Sequence, residues 1–263
     1  MTHCSLTRSR DREKPIRPDG ASARRWLLAL LAIVPLALAF GSVAGVAIGR
    51  FATAAPSYRD QRLVEIRADL RQVEGDYLLA LGDSHVARWH VRVFCGLPLV
   101  NGGLHGATTR DTLELLNDLA LPHPPRAIIL AVGTNDANRK RFREPPEAVI
   151  RFRHAFRALL RQVVGKSELV LVATLPRIET SQDAAFSAQV ATDIAASAEA
   201  ACRTETSCRV ADRFGRGVPM MDGLHLADYE RAYHDIAPAI CGAIAGEVSL
   251  ASPPGQTVGA GRP

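Results

Sequence analysis

Short apolar runs alternating with longer amphipathic segments set the tightest limit on how this chain can fold. Residues 77–81 (YLLAL), 126–132 (RAIILAV) and 168–174 are near-continuous apolar stretches, with weaker ones near 97–100 and 208–212. Continuous rather than alternating apolar character is what a strand buried on both faces requires. Between these runs, residues 59–74 place Leu63, Ile66, Leu70 and Val73 at helical steps. Residues 146–163 likewise carry Val149, Phe152, Phe156, Leu159 and Leu160 on one face. Further helices are expected just after Ser84, over 108–120 with Thr109 and Asp111 near its start, over the alanine-rich 181–201, and over 226–246. Strands alternating with helices imply an α/β fold whose parallel sheet is covered on both faces. Such sheets hold their sites outside the carboxyl ends of the strands. No internal repeat interrupts this order.

The charge distribution separates the body from its N-terminal arm. The formal net charge is +5, yet residues 1–25 alone hold seven Lys/Arg against three acidic groups. The remaining 238 residues carry 25 basic and 24 acidic groups, too balanced for the concentrated basic face that a nucleic-acid partner needs.

Residues 26–49 contain no charge over 24 positions, which as a helix would span roughly 36 Å, enough to cross a bilayer core. That is long for a cleavable signal, and the basic arm before it predicts a cytoplasmic N-terminus with the body on the far side. Ala52-Thr53-Ala54 has the form of a cleavage site, and Arg24-Arg25 that of a twin-arginine export signal, so the segment is either a retained anchor or a removed one. Gly41, Gly45 and Gly49 form a small-residue stripe within it. The expected organisation is a basic cytoplasmic arm (1–25), a transmembrane or signal segment (26–49), a linker and amphipathic helix (50–75), one α/β domain (76–246) and a disordered tail (247–263).

Of five cysteines, Cys4 falls on the cytoplasmic side, leaving Cys95, Cys202, Cys208 and Cys241 in an oxidising space. Cys202 and Cys208, six apart, are the best-placed pair; the alternative is four buried free thiols. No CxxC or metal-ligand spacing occurs, so no metal is expected. Gly165-Lys166-Ser167 resembles the end of a phosphate-binding loop, but the glycine such a loop needs is Leu160 here. Neither GxGxxG nor GxSxG occurs. His85 and His90 lack a third ligand.

The loops after the expected strands carry the unusual residues. They are Gly82-Asp83-Ser84-His85, then the run from Asn101 to Thr108 with Gly106 inside it, then Gly133-Thr134-Asn135-Asp136, and finally Asp222-Gly223-Leu224-His225 before the last helix. Singly, each has a plain reading: Ser84 as a helix cap, Gly106 as a loop glycine, Asn135 in an Asx turn, His225 as a surface residue. Four in this order, each at a strand end, point to shared chemistry. A serine hydroxyl becomes a nucleophile only when a base takes its proton; His225 is suited to that, with Asp222 to orient and stabilise the imidazolium. Asp83 suits bracing of the turn.

On these blocks, spanning residues 77–235, the chain resembles the SGNH/GDSL hydrolases. The resemblance implies a flavodoxin-like three-layer α/β/α sandwich, preceded here by the N-terminal membrane segment, and a serine ester hydrolase without cofactor or metal. It assigns Ser84, Asp222 and His225 as the catalytic triad, with the Ser84 N–H, the Gly106 N–H and the Asn135 amide as the oxyanion hole. Glycine at 106 would let the backbone approach the substrate closely.

Exported placement favours a small-molecule or glycan ester substrate, such as O-acyl groups of envelope glycans or lipids, with the membrane as partner through residues 26–49. An O-acyltransferase using the same triad and a non-catalytic glycan-binding module on the same fold are the alternatives. His85 departs from the family pattern after the serine and is read as a helix-start residue rather than a pocket-lining one. His105, beside Gly106, is within reach of a substrate, but no motif demands that role. Arg139, Lys140, Arg141 and Arg143 form either a solvated charge run or an anion-facing surface.

Overall fold

The computed structural model describes Pro35, residues 55–212 and residues 214–246. The basic arm, the apolar run with its glycine stripe, the cleavage and twin-arginine motifs, Cys4 and the tail therefore lie outside the described residues. Among the described residues no helix is long and apolar enough to cross a membrane.

The elements follow the expected alternation. They are α1 (Tyr58–Arg71), β1 (Leu78–Gly82), α2 (Ser84–Ala87), β2 (Val93–Phe94), β3 (Leu97–Gly103), α3 (Thr109–Asp118), β4 (Ala127–Ala131), α4 (Pro145–Val164), β5 (Val170–Ala173), α5 (Ala188–Arg203), β6 (Cys208–Ala211) and α6 (Tyr229–Ala245). Two short 3-10 turns, Thr134–Ala137 and Arg139–Arg141, lie between β4 and α4. The sheet order is β2-β3-β1-β4-β5-β6. All pairs are parallel except β2–β3, a small antiparallel hairpin that sequence periodicity is too short to reveal. Without β2, the order is the flavodoxin one, whose topological switch point here lies between β1 and β4.

Side-chain alternation divides the core into two layers. Leu79 and Leu81 of β1 and Ile128 and Leu130 of β4 face one layer, closed by α1, α3, α4 and α5 through Ile66, Leu115, Phe152 and Ile194. Leu78, Ala80, Ile129 and Ala131 face the other, closed by Val86, Trp89 and the Tyr233, Ile236 and Ile240 face of α6. Helix α1 thus packs into the core, with Leu63, Ile66 and Leu70 buried. Capping boxes start α1 at Ser57/Asp60 and α3 at Thr108/Asp111.

One element departs from expectation. The alanine-rich helix begins at Ala188, not near 181, because the preceding main chain is engaged elsewhere. Glu179 N–H donates to Gly223 O at 2.8 Å, Ala185 O accepts from Arg139 N–H at 2.8 Å, and Ser187 N–H donates to Ala137 O at 3.0 Å. Two disulfides occur among the described residues: Cys202–Cys208 as expected, and Cys95–Cys241, a pairing that bridges 146 residues and joins the β2–β3 turn to α6.

Candidate active site

Ser84 opens α2 at the carboxyl end of β1, beside the switch point. Asp83 caps that helix, its Oδ1 accepting from His85 N–H at 2.9 Å. As the first helical residue, Ser84 has an N–H with no intrahelical acceptor. The residue is almost fully buried, 4% exposed.

The closing loop brings its histidine to this serine across 141 residues of sequence. His225 Nε2 lies 3.0 Å from Ser84 Oγ, and its Nδ1 lies 2.7 Å from Asp222 Oδ2. A carboxylate only accepts, so Nδ1 carries the proton and the Nε2 lone pair faces the serine hydroxyl. Asp222 also accepts at Oδ1 from His225 N–H at 2.7 Å and Leu224 N–H at 3.0 Å. Partial burial pushes its pKa up, but these hydrogen bonds and the His225 ring outweigh it and hold it down at about 2. The carboxylate therefore remains ionised through the whole physiological range. Gly223 in this loop has φ +78°, and a Cβ there would stand 2.7 Å from both Gln182 Cβ and Glu179 O. The segment before α5 thus braces the histidine loop from below.

Asn135 sits on the 3-10 turn after β4, with Nδ2 donating to Ala107 O at 3.0 Å. Its second amide hydrogen stays available. Its neighbour Asp136 accepts from both Thr109 N–H (2.9 Å) and Thr109 Oγ (3.0 Å), tying the turn to the start of α3. Burial raises the Asp136 pKa against the opposing Thr109 bonds. Gly106 has φ +74°, a region L residues rarely adopt, while a Cβ there would meet nothing within 4 Å. Its glycine is required by backbone conformation, and the space beside it is open. Its carbonyl is held by Arg141 at 3.3 Å, which leaves its N–H side free of that contact.

The structure therefore brings Ser84, Asp222 and His225 into one hydrogen-bonded line, with Gly106 and Asn135 joined through the Ala107 carbonyl. The remaining candidates fall elsewhere. His85 does start a helix, but it is fully buried, its Nδ1 3.0 Å from the Tyr229 hydroxyl and its ring 6.1 Å from that of His225. Burial first, then the His225 and Arg88 charges, push its pKa down to about 3, so it stays neutral. His105 is exposed beside the Tyr58 ring at 5.8 Å. Arg139 donates to Phe186 O, so the basic run is partly structural. Tyr229, whose hydroxyl also accepts from Leu226 N–H at 3.3 Å, links His85 to the histidine loop. Sequence reading missed it, since a tyrosine four residues past His225 is indistinguishable from core.

A family sequence model described as the GDSL-like lipase/acylhydrolase family matches residues 73–235, more than half the chain. Solved structures share the fold at low identity. A Streptococcus pneumonia protein assigned as a platelet activating factor is 18% identical with a TM-score of 0.56, covering 71% of this chain and 92% of that one. The lipase/acylhydrolase from Enterococcus faecalis is 20% identical with a TM-score of 0.53, covering 66% and 98%. A GDSL-like lipase from Bacteroides thetaiotaomicron is 15% identical, also at 0.53, covering 71% and 98%. Comparison with curated protein sequences finds no match.

Proposed function

Because the chain belongs to the GDSL-like lipase/acylhydrolase family and is thereby an ester-bond hydrolase, we propose that Ser84, His225 and Asp222 form its catalytic triad and that it works through an acyl-Ser84 intermediate. The observation that carries this reading is the continuous line from Ser84 Oγ through His225 to Asp222, at 3.0 Å and 2.7 Å.

His225 Nε2 takes the hydroxyl proton as Oγ bonds to the ester carbonyl carbon, and Asp222 stabilises the resulting imidazolium. The tetrahedral oxyanion receives the Ser84 N–H, the Gly106 N–H and the free Asn135 amide hydrogen. Collapse expels the alcohol, which takes the proton from His225. Water then repeats the sequence on the acyl-enzyme, returning Ser84 with its proton and releasing the carboxylic acid.

The domain acts outside the cytoplasm, held by residues 26–49 or released by cleavage near Ala54, on O-acyl esters of envelope glycans or lipids. Two disulfides support an oxidising compartment. The 24-residue uncharged run supports a membrane-directed N-terminus.

Hydrolysis of short p-nitrophenyl esters by the full-length chain, with Ser84→Ala and His225→Ala alongside, tests the triad. Activity is expected in the wild type and absent from both variants, with unchanged circular dichroism. Hydrolysis surviving Ser84→Ala, or failure of a fluorophosphonate probe to label Ser84, would defeat the assignment.

A further inference from the structure

Arg88 stands apart from the other half-buried arginines. Arg62 gives its guanidinium to the Gly103 and Asn101 carbonyls, and Arg209 gives its own to the Thr206 and Cys208 carbonyls. Arg88 makes no side-chain hydrogen bond and no ion pair among the described residues, and its Nε is closed off from solvent without a partner. The rest of the side chain is half-buried, and a donor nitrogen shut off from water without a partner is costly, which native proteins tolerate where a bound group, ion or water completes it.

Its position indicates what completes it. Arg88 caps α2 with its N–H on Ser84 O at 3.0 Å. Residues four apart on a helical turn share a face, their Cβ atoms roughly 6 Å apart, and long side chains there lean back toward the N-terminus. As the cap of the four-residue α2, Arg88 is aimed by that tendency toward Ser84. Its positive charge is felt at His85, His105 and Tyr229, which come from three different segments around the Ser84–His225 pair. No carboxylate lies within ion-pair distance of it among the described residues, and Asp222 is bonded to His225.

We infer that Arg88 is a specificity-determining residue that binds an anionic group of the substrate, a carboxylate or a phosphate lying only a few bonds from the scissile carbonyl. This deepens the ester-hydrolase reading and rests on it. The guanidinium fork matches either oxyanion bidentately, whereas a lysine would offer only a point charge.

Two matched substrate pairs test it on the full-length chain. Mono-p-nitrophenyl adipate against its methyl-capped ester probes the acyl side, and acetylated glycerol 3-phosphate against acetylated glycerol probes the alcohol side. In at least one pair the charged ester should be preferred in kcat/KM by tenfold or more, chiefly through KM. That ratio should collapse toward one in Arg88→Gln and be partly kept in Arg88→Lys. Which pair responds identifies carboxylate or phosphate as the source. A wild type that prefers neither charged ester overturns the inference without any variant, as does a preference that Arg88→Gln leaves intact. Should no ester turn over, the hydrolase mechanism is what has failed. Calorimetric binding of adipate and glycerol 3-phosphate to Ser84→Ala, with and without Arg88→Gln, then decides the anion site separately: binding lost with Arg88 supports it, and no binding or unchanged binding refutes it.

Discussion

Replacing Asp83 with asparagine is expected to make the protein more resistant to rising pH. The Asp83 carboxyl is fully buried, with Oδ1 bonded to His85 N–H and Oδ2 without a partner. Thr134 faces it, its hydroxyl close to the carboxyl but outside good hydrogen-bond geometry. Burial, opposed in part by the His85 N–H and by the Thr134 hydroxyl and N–H, pushes the Asp83 pKa up to about 7. In the unfolded chain an aspartate titrates near about 3.9. Between these values the unfolded chain has released a proton that the folded chain still holds, so stability falls as pH rises and levels off above about 7. Three units at about 1.36 kcal/mol each amount to about 4 kcal/mol.

His85, two residues on, has the opposite sign. His85, held neutral with its pKa near 3, adds stability that is present above the unfolded value of about 6.5 and is lost as pH falls toward 3. The two slopes cancel between about pH 4 and 6.5, so the wild type alone reveals neither, and a single variant is needed. Urea unfolding of full-length wild type and Asp83→Asn, followed by circular dichroism, should show the variant gaining about 3 kcal/mol on the wild type between pH 5 and pH 8. A difference that stays constant over that range would mean Asp83 is charged in the folded state, and the burial reasoning would fail.

Two further outcomes are expected. Asn135→Ala should lower kcat by about 10²–10³-fold, or about 2.7–4 kcal/mol of transition-state stabilisation, with little change in KM; steady-state kinetics showing a loss under about tenfold would remove Asn135 from the oxyanion hole. Replacing both Cys95 and Cys241 by serine should cost about 5 kcal/mol in urea unfolding, against about 2 kcal/mol for the Cys202/Cys208 pair, because the first closes a loop of 146 residues and the second one of 6. Equal losses would exclude loop closure as the cause.

Much of this protein was legible in one dimension because the relevant physics is local. Strands buried on both faces must be apolar throughout, as in residues 78–81 and 127–131, and helices on a sheet must show a stripe, as Val149, Phe152 and Phe156 do. The proposed site residues Ser84, Gly106, Asn135, Asp222 and His225 lie in short motifs on strand-end loops, which is why they could be nominated without coordinates. The hairpin strand Val93–Phe94 could not, since two residues carry no periodicity.

What only the tertiary structure decided depends on contacts between distant segments. The start of α5 at Ala188 follows from hydrogen bonds to Ala137, Arg139 and Gly223, none adjacent in sequence. Cys95 meets Cys241 only because α6 returns to the β2–β3 turn. His85, which reads locally as a helix-start residue, is sealed behind His225 by Tyr229, and Arg88 is left without an acceptor beside Ser84. Propensity and pattern report what each segment prefers. Burial, proton affinity and an unmatched charge are properties of the surroundings, which exist only once the chain has folded.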